Sequence, residues 1–143
     1  MIPPTPFLYE ITRRVHEAGM KVGICLLPPP PFSFEYILNE IDYVLILGVD
    51  AISLEGQKFI RSMLRKISAV GKLIENAVVN LEIGVNGGMN RSNILEIVTA
   101  RTDSLIASKA IYSSDGMREA IEELRDMSLD ALREYKRTHY RKS

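Results

Sequence analysis

One cysteine, Cys25, is all the thiol chemistry that the 143 residues contain. A disulfide framework within the chain is therefore excluded, and a lone thiol inside an apolar run is expected to be buried, inert packing. Histidine is nearly as scarce. His16 and His139 lack partners at ligand spacing, so both are expected to be surface or packing residues rather than metal ligands. Neither sign of charge is in excess. Eighteen basic residues balance eighteen acidic ones, which gives no electrostatic reason to expect a nucleic-acid or anionic-membrane partner. No stretch approaches the roughly 20 apolar residues of a membrane span. The opening MIPPTP lacks the basic-then-apolar pattern of a secretory leader, so the default expectation is a cytoplasmic protein.

What is present is ordinary for a globular domain, with 46% hydrophobic and 25% charged residues. The length suits one domain with a real core, and no linker, low-complexity tract or charge block divides residues 1–143. The proline run at 28–31 sits where a strand hands over to a helix and reads as a stiff loop rather than a partner motif. Apolar runs at 22–27, 44–49, 81–85 and 105–107 are nearly continuous, as expected of parallel strands covered on both faces. Helical periodicity lies between them. Phe7, Leu8, Ile11, Val15 and Ala18 make one stripe, closed by Gly19. Ile60, Met63, Leu64, Ile67, Val70 and Ile74 make a second, and Ile94, Leu95, Ile97 and Val98 a third. Met117, Ala120, Ile121, Leu124 and Met127 make a fourth, which Leu129, Leu132 and Tyr135 extend. A short helix over 34–39 completes the set. A helix followed by four strand–helix repeats implies right-handed βαβ units and a parallel sheet. The basic stretch 133–142 is expected to be the solvated end of a helix, with a phosphate- or partner-binding tail as the alternative.

Four collinear islands give a family resemblance. GMKVGICLLPPPP (19–31) is similar to the fifth strand of the ribulose-phosphate 3-epimerase family, G-M-K-x-G-x-A-L-N-P-x-T-P. DYVLILGV (42–49) followed by GQKFIRSMLRKI (56–67) resembles the sixth strand and the helix after its mobile loop. EIGVNGGM (82–89) resembles the seventh strand, E-x-x-V-D-G-G-I, and SLIASKAIY (104–112) the eighth, V-L-V-A-G-S-A-I-F. The resemblance runs from about residue 7 to about 125, leaving 126–143 as an extra C-terminal helix or tail. It implies an α/β fold of the TIM (β/α) barrel type, present as a half-barrel of four parallel βα units.

The resemblance also implies a chemistry, the interconversion of ribulose 5-phosphate and xylulose 5-phosphate in carbohydrate metabolism. Inverting a carbon beside a carbonyl needs an acid/base group on each face of an enediolate and a positive group on the oxyanion. The family uses two aspartates and a divalent metal such as zinc, iron or manganese, held by histidines and those aspartates. The chain lacks the family's first four strands, which bring one aspartate and both histidines, and has Asn86 where the second aspartate belongs. The implied state is a degenerate epimerase, inactive alone and with no cofactor of its own. Asp50, at the end of the second strand, is the one candidate stand-in acid, against a solvated loop carboxylate.

The implied phosphate site fares better. Backbone N–H groups after strands seven and eight bind phosphate without side-chain charge. Gly87 and Gly88 keep the close approach, and the alternative for them is a tight turn with no ligand. Ser108 and Lys109 replace the family's Gly-Ser, adding a Cβ and a cation. The loop AISLEG (51–56) keeps only Gly56 of the family's P-G-F-G-G. Leu27 replaces an asparagine, and Arg101 replaces a helix-ending glycine. The expected partners are a weakly held sugar phosphate or phosphate, and a second copy or separate half-barrel covering the open sheet edges.

Overall fold

The computed structural model describes residues 6–28, 34–50 and 58–139. Helix α1 (Pro6–Glu17) precedes strand β1 (Gly23–Leu26), and a 3₁₀ helix (Glu35–Glu40) leads to β2 (Tyr43–Leu47). Helix α2 (Met63–Ala77), β3 (Glu82–Asn86), α3 (Ile94–Thr99), β4 (Ser104–Ile106), the one-turn α4 (Lys109–Tyr112) and α5 (Met117–His139) follow. The four strands form one parallel sheet in the order β1-β2-β3-β4. Sequential parallel neighbours joined by helical crossovers are half of a (β/α) barrel, as the alternation of periods implies.

Among the described residues, coverage of the sheet is not two-sided, contrary to the expectation from the apolar runs. Val44 and Ile46 are fully buried while Tyr43, Leu45 and Leu47 are only half-buried. Ile24, Leu26, Ile83 and Val85 join Val44 and Ile46 in packing under the helices. The other parity, Gly23 and Cys25 in β1 and Ser104 and Ile106 in β4, lies on the opposite face. Cys25 is therefore exposed rather than buried. Both faces are apolar because a closed barrel would bury both, but a half-barrel covers only one.

Helix α2 buries Met63, Ile67, Val70, Gly71 and Ile74, the i, i+4, i+7 pattern its sequence shows. The other stripes need correction. In α1 the inward residues are Leu8, Thr12 and Val15, with Thr12 at zero exposure and its hydroxyl bonded to the Tyr9 carbonyl at 2.8 Å. Phe7, Ile11 and Ala18 are exposed. Leu95 is also exposed on α3. On α5 the seam is Ala120, Leu124, Met127 and Ala131, while Met117, Ile121, Leu129 and Leu132 face solvent. That seam packs on Ile94 and Val98 of α3 and against Leu105 and Ala107. Helix α5 thus sits in the helical layer. Its basic end is a solvated helix surface, with Arg133 paired to Asp130 and Arg137 to Glu134.

Two aspartates fix the strand starts. Asp42, just before β2, accepts the Val22 N–H at 2.7 Å, and its own N–H donates to the Val22 carbonyl at 2.7 Å. Asp103, just before β4, does the same with Ile83, at 2.8 Å in both directions. Each ties the base of one strand to its neighbour, where ladder hydrogen bonds run out.

Candidate functional site

The candidate site lies at the C-terminal ends of the strands, where (β/α) barrels place their active sites. After β3 the chain turns through Gly87 (φ +98°) and Gly88 (φ +71°), both left-handed. Space demands glycine there as well. A Cβ on Gly87 would lie 2.8 Å from a Val49 methyl, and one on Gly88 would lie 2.5 Å from the Phe59 backbone nitrogen. Gly48 is equally constrained, by the Phe59 ring at 2.6 Å and the Gly87 carbonyl at 2.8 Å. The Gly-Gly turn, the end of β2 and Phe59 are thus locked together. The tight-turn reading of these glycines is satisfied by the fold itself.

Side-chain amides hold the turn from below. Asn93 donates its amide to the Gly88 carbonyl at 3.0 Å and accepts the Asn90 N–H at 2.8 Å. Asn90 in turn accepts the Ser92 N–H at 2.8 Å and the Ser92 hydroxyl at 2.6 Å. The sequence reading missed this brace. The signal was available as Asn-x-Ser-Asn just before a helical stripe, a capping composition.

An open cleft of about 650 Å³ lies between the turn and the start of α4 and α5. It brings together Gly87, Gly88, Ser108 and Lys109, four of the residues singled out from sequence. Ser108 occupies the N-cap position of α4, and its carbonyl accepts the N–H groups of Ile111 and Tyr112 at 3.0 and 2.9 Å. The cleft adds two cations that sequence spacing did not suggest, Lys58 and Arg91. Arg91 is ion-paired with Glu123, which also lines the cleft. Three cations against one carboxylate make the lining net positive, which suits a small anion.

Gly56, with the rest of the altered loop 51–56, lies outside the described residues. So does the His139 side chain. His16 is a surface residue whose ring nitrogen sits 3.1 Å from an Asp42 oxygen, and that contact, after the Val22 N–H, holds the Asp42 carboxyl below its usual range. Asp50 is exposed at the end of β2. The Leu27 side chain is exposed, and Lys66 of α2 holds the Leu27 and Pro28 carbonyls. Partial burial pushes the Lys66 ammonium down from its ordinary value. Arg101 takes up a left-handed φ of +83°, the conformation for which the family's glycine is suited.

Asn86 closes β3 on the uncovered face of the sheet, half-buried, in register with Leu47 of β2 and Ile106 of β4. Those neighbours are hydrocarbon. Among the described residues no three His, Cys, Asp or Glu side chains converge as a metal site would require. A hard divalent cation needs carboxylate or imidazole donors, so the described residues around Asn86 do not fit the metal that the family chemistry implies.

The model of the ribulose-phosphate 3 epimerase family matches residues 4–112. The chain is 34% identical over 118 residues to the chloroplastic ribulose-5-phosphate-3-epimerase of Arabidopsis thaliana, covering 82% of this chain and 42% of that protein. It is 33% identical over 132 residues to the ribulose-phosphate 3-epimerase of Methanocaldococcus jannaschii, covering 92% and 56%. A third relative, the ribulose-phosphate 3-epimerase of Buchnera aphidicola, is 37% identical over 116 residues, covering 80% and 50%. The chain spans about half the length of these curated relatives. Strand order, the glycine turn and these matches agree: the chain belongs to the ribulose-phosphate 3 epimerase family.

Proposed function

We propose that the chain is the phosphate-holding half of a ribulose-phosphate 3-epimerase and binds phosphate or a pentose phosphate without turning it over by itself. The observation that carries this is the cleft in which the Gly87–Gly88 turn, Ser108-Lys109 and Lys58 converge beneath a net positive lining. The division of labour follows from chemistry. Holding a phosphate takes oriented N–H groups and cations, which one half of a barrel supplies. Epimerisation takes two opposed acids and a Lewis acid. Here the position of one acid holds an amide, which neither takes nor gives a proton near neutral pH.

Thermal unfolding in rising inorganic phosphate or ribulose 5-phosphate tests the reading. An open site of this kind is expected to bind at about 1 mM, worth about 4 kcal/mol. At tenfold excess ligand the stabilisation is about 1.4 kcal/mol, or about 4 °C in melting temperature. Replacing Lys58 and Lys109 together by alanine should remove most of the shift, since both lysines are exposed and neither replacement disturbs the core. Gly88→Val is a poor control, because its Cβ would strike the Phe59 backbone and damage the fold as well as the site. Equal shifts in wild type and the lysine variant would mean general salt stabilisation and would defeat the proposal.

A further inference from the structure

We infer, resting on the phosphate reading proposed above, that Glu123 is a built-in counter-anion of the cleft, which occupies Arg91 and so sets how tightly phosphate is held. Among the acidic residues of α5, Glu123 alone lines the cleft. Its helical neighbours Ala120 and Leu124 also line it and are buried, so Glu123 stands on the flank of α5 turned toward the loop after β3. There its carboxylate pairs with the Arg91 guanidinium. Arg91 starts from a fixed base. The Asn90 N–H donates to the Asn93 side chain at 2.8 Å, and the Asn93 amide donates to the Gly88 carbonyl at 3.0 Å. The backbone beside Arg91 is thereby tied to the glycine turn, and only the side chain is free to choose its partner.

The pair is not needed to hold the helices together. The Arg91 and Glu123 side chains are 71% and 40% exposed, and bridges as exposed as this add little to stability. Helix α5 is already seated on α3 through Leu124 and Ala131 against Ile94 and Val98. What the pair does change is the charge that an anion meets. Lys58 and Lys109 enter no ion pair among the described residues. Glu123 cancels the third cation of the lining and leaves these two, close to the charge of a phosphate monoester near neutral pH. An arginine is the strongest phosphate ligand of the basic side chains, always charged and able to bind with two parallel N–H groups. Left unpaired, Arg91 would tighten the site. Paired with Glu123, it keeps binding weak and readily reversed.

A counter-anion has a signature that a structural brace lacks. Removing the carboxylate strengthens phosphate binding, removing the guanidinium weakens it, and removing both restores the starting affinity. Thermal unfolding in rising inorganic phosphate, with ionic strength held at about 0.1 M by sodium chloride, reads an apparent Kd for each protein against its own phosphate-free midpoint. One unit charge gained or lost within a Debye length of the bound anion is expected to shift Kd about fivefold. Glu123→Gln should therefore bind about fivefold more tightly than wild type, and Arg91→Ala about fivefold more weakly. The double variant should return to within about twofold of wild type. Glu123→Ala should shift in the same direction as Glu123→Gln and serves if the amide variant folds poorly by far-ultraviolet dichroism. A brace would instead lower the phosphate-free midpoint in both single variants without tightening either. Saturable protection of wild type that the Lys58 and Lys109 replacements remove, with Kd unchanged or weakened in the Glu123 variants, would overturn the role of Glu123 and leave the phosphate reading standing. No saturable protection of wild type would defeat that reading and the counter-anion with it.

Discussion

Two residues spend conformational energy that others in their place would not. Val78, the C-cap of α2, has φ +55° and is 91% exposed. A β-branched residue is among the poorest occupants of the left-handed region, and its side chain gains little packing there. Val78→Gly should raise stability by roughly 1 kcal/mol, seen as a melting temperature about 3 °C higher. Arg101 is similarly strained but has contacts that offset the strain. Its guanidinium pairs with Glu75 and hydrogen-bonds Tyr135, the pairing with Glu75 raising its pKa most. Its aliphatic stem lies over Gly71, where a Cβ would come within 2.7 Å. Arg101→Gly and Arg101→Ala both lose these contacts, but only alanine keeps the strain, so the glycine variant should be the more stable by about 1 kcal/mol. Chemical denaturation of the pair measures the difference directly.

Asp42 gives a residue-scale pH dependence. The Val22 N–H, then His16, lower its carboxyl pKa in the fold. A lowered folded-state pKa contributes stability above the unfolded value of about 3.9 and loses it as pH falls through the folded value. The stability gap between wild type and Asp42→Asn should therefore be full at pH 5 to 6 and shrink as acid takes the pH below about 3.9. Urea midpoints for both proteins across that range check the sign, and a gap that widens in acid would contradict it.

At the scale of elements, the strands and α2 were legible because their period and composition agree with their tertiary setting. Which face of each strand is covered was not legible. Runs such as VLIL at 44–47 are apolar at every position, and only the count of strands present decides which parity meets solvent. The same cause misassigned Cys25 and misplaced the buried stripe of α1, where Thr12 rather than Ile11 faces in. The Gly87–Gly88 turn was legible from its motif, and the fold places Ser108 and Lys109 at the same cleft. Lys58 was not legible, because Phe59 carries it across the end of β2 and no local pattern records that crossing. The aspartates that tie strand bases together were also missed, since a lone Asp before an apolar run looks like loop solvation. Gly84 shows what register adds. Tyr43 lies across it to bond Ser104 at 2.8 Å, and a Cβ on Gly84 would sit 1.6 Å from the Tyr43 hydroxyl. Gly84→Ala should displace the ring and cost about 1–3 kcal/mol, whereas Tyr43→Phe removes only the hydroxyl and should cost about 1 kcal/mol. Thermal melts of the two variants would order them.

At the scale of the whole molecule, the proposed function separates family membership from catalytic capacity. A barrel enzyme assembles its reacting groups from several strand ends, so half the strands can retain the packing code and lose the reaction. On the reading proposed above, the purified chain should show no epimerisation of ribulose 5-phosphate above background, with or without zinc, iron or manganese. Asn86→Asp is the discriminating variant. Its carboxylate would stand between Leu47 and Ile106 in register, with none of the converging donors a metal needs among the described residues. One acid can remove a proton from one face of the carbon but cannot return it to the other, and without an electrophile the enediolate remains too high in energy. The variant should therefore stay inactive, and solvent deuterium exchange at the substrate carbon should be absent as well. Metal-dependent turnover by wild type, with host epimerase removed, would refute the separation. Deuterium exchange without inversion in Asn86→Asp would show instead that half the chemistry is recoverable from this half of the fold.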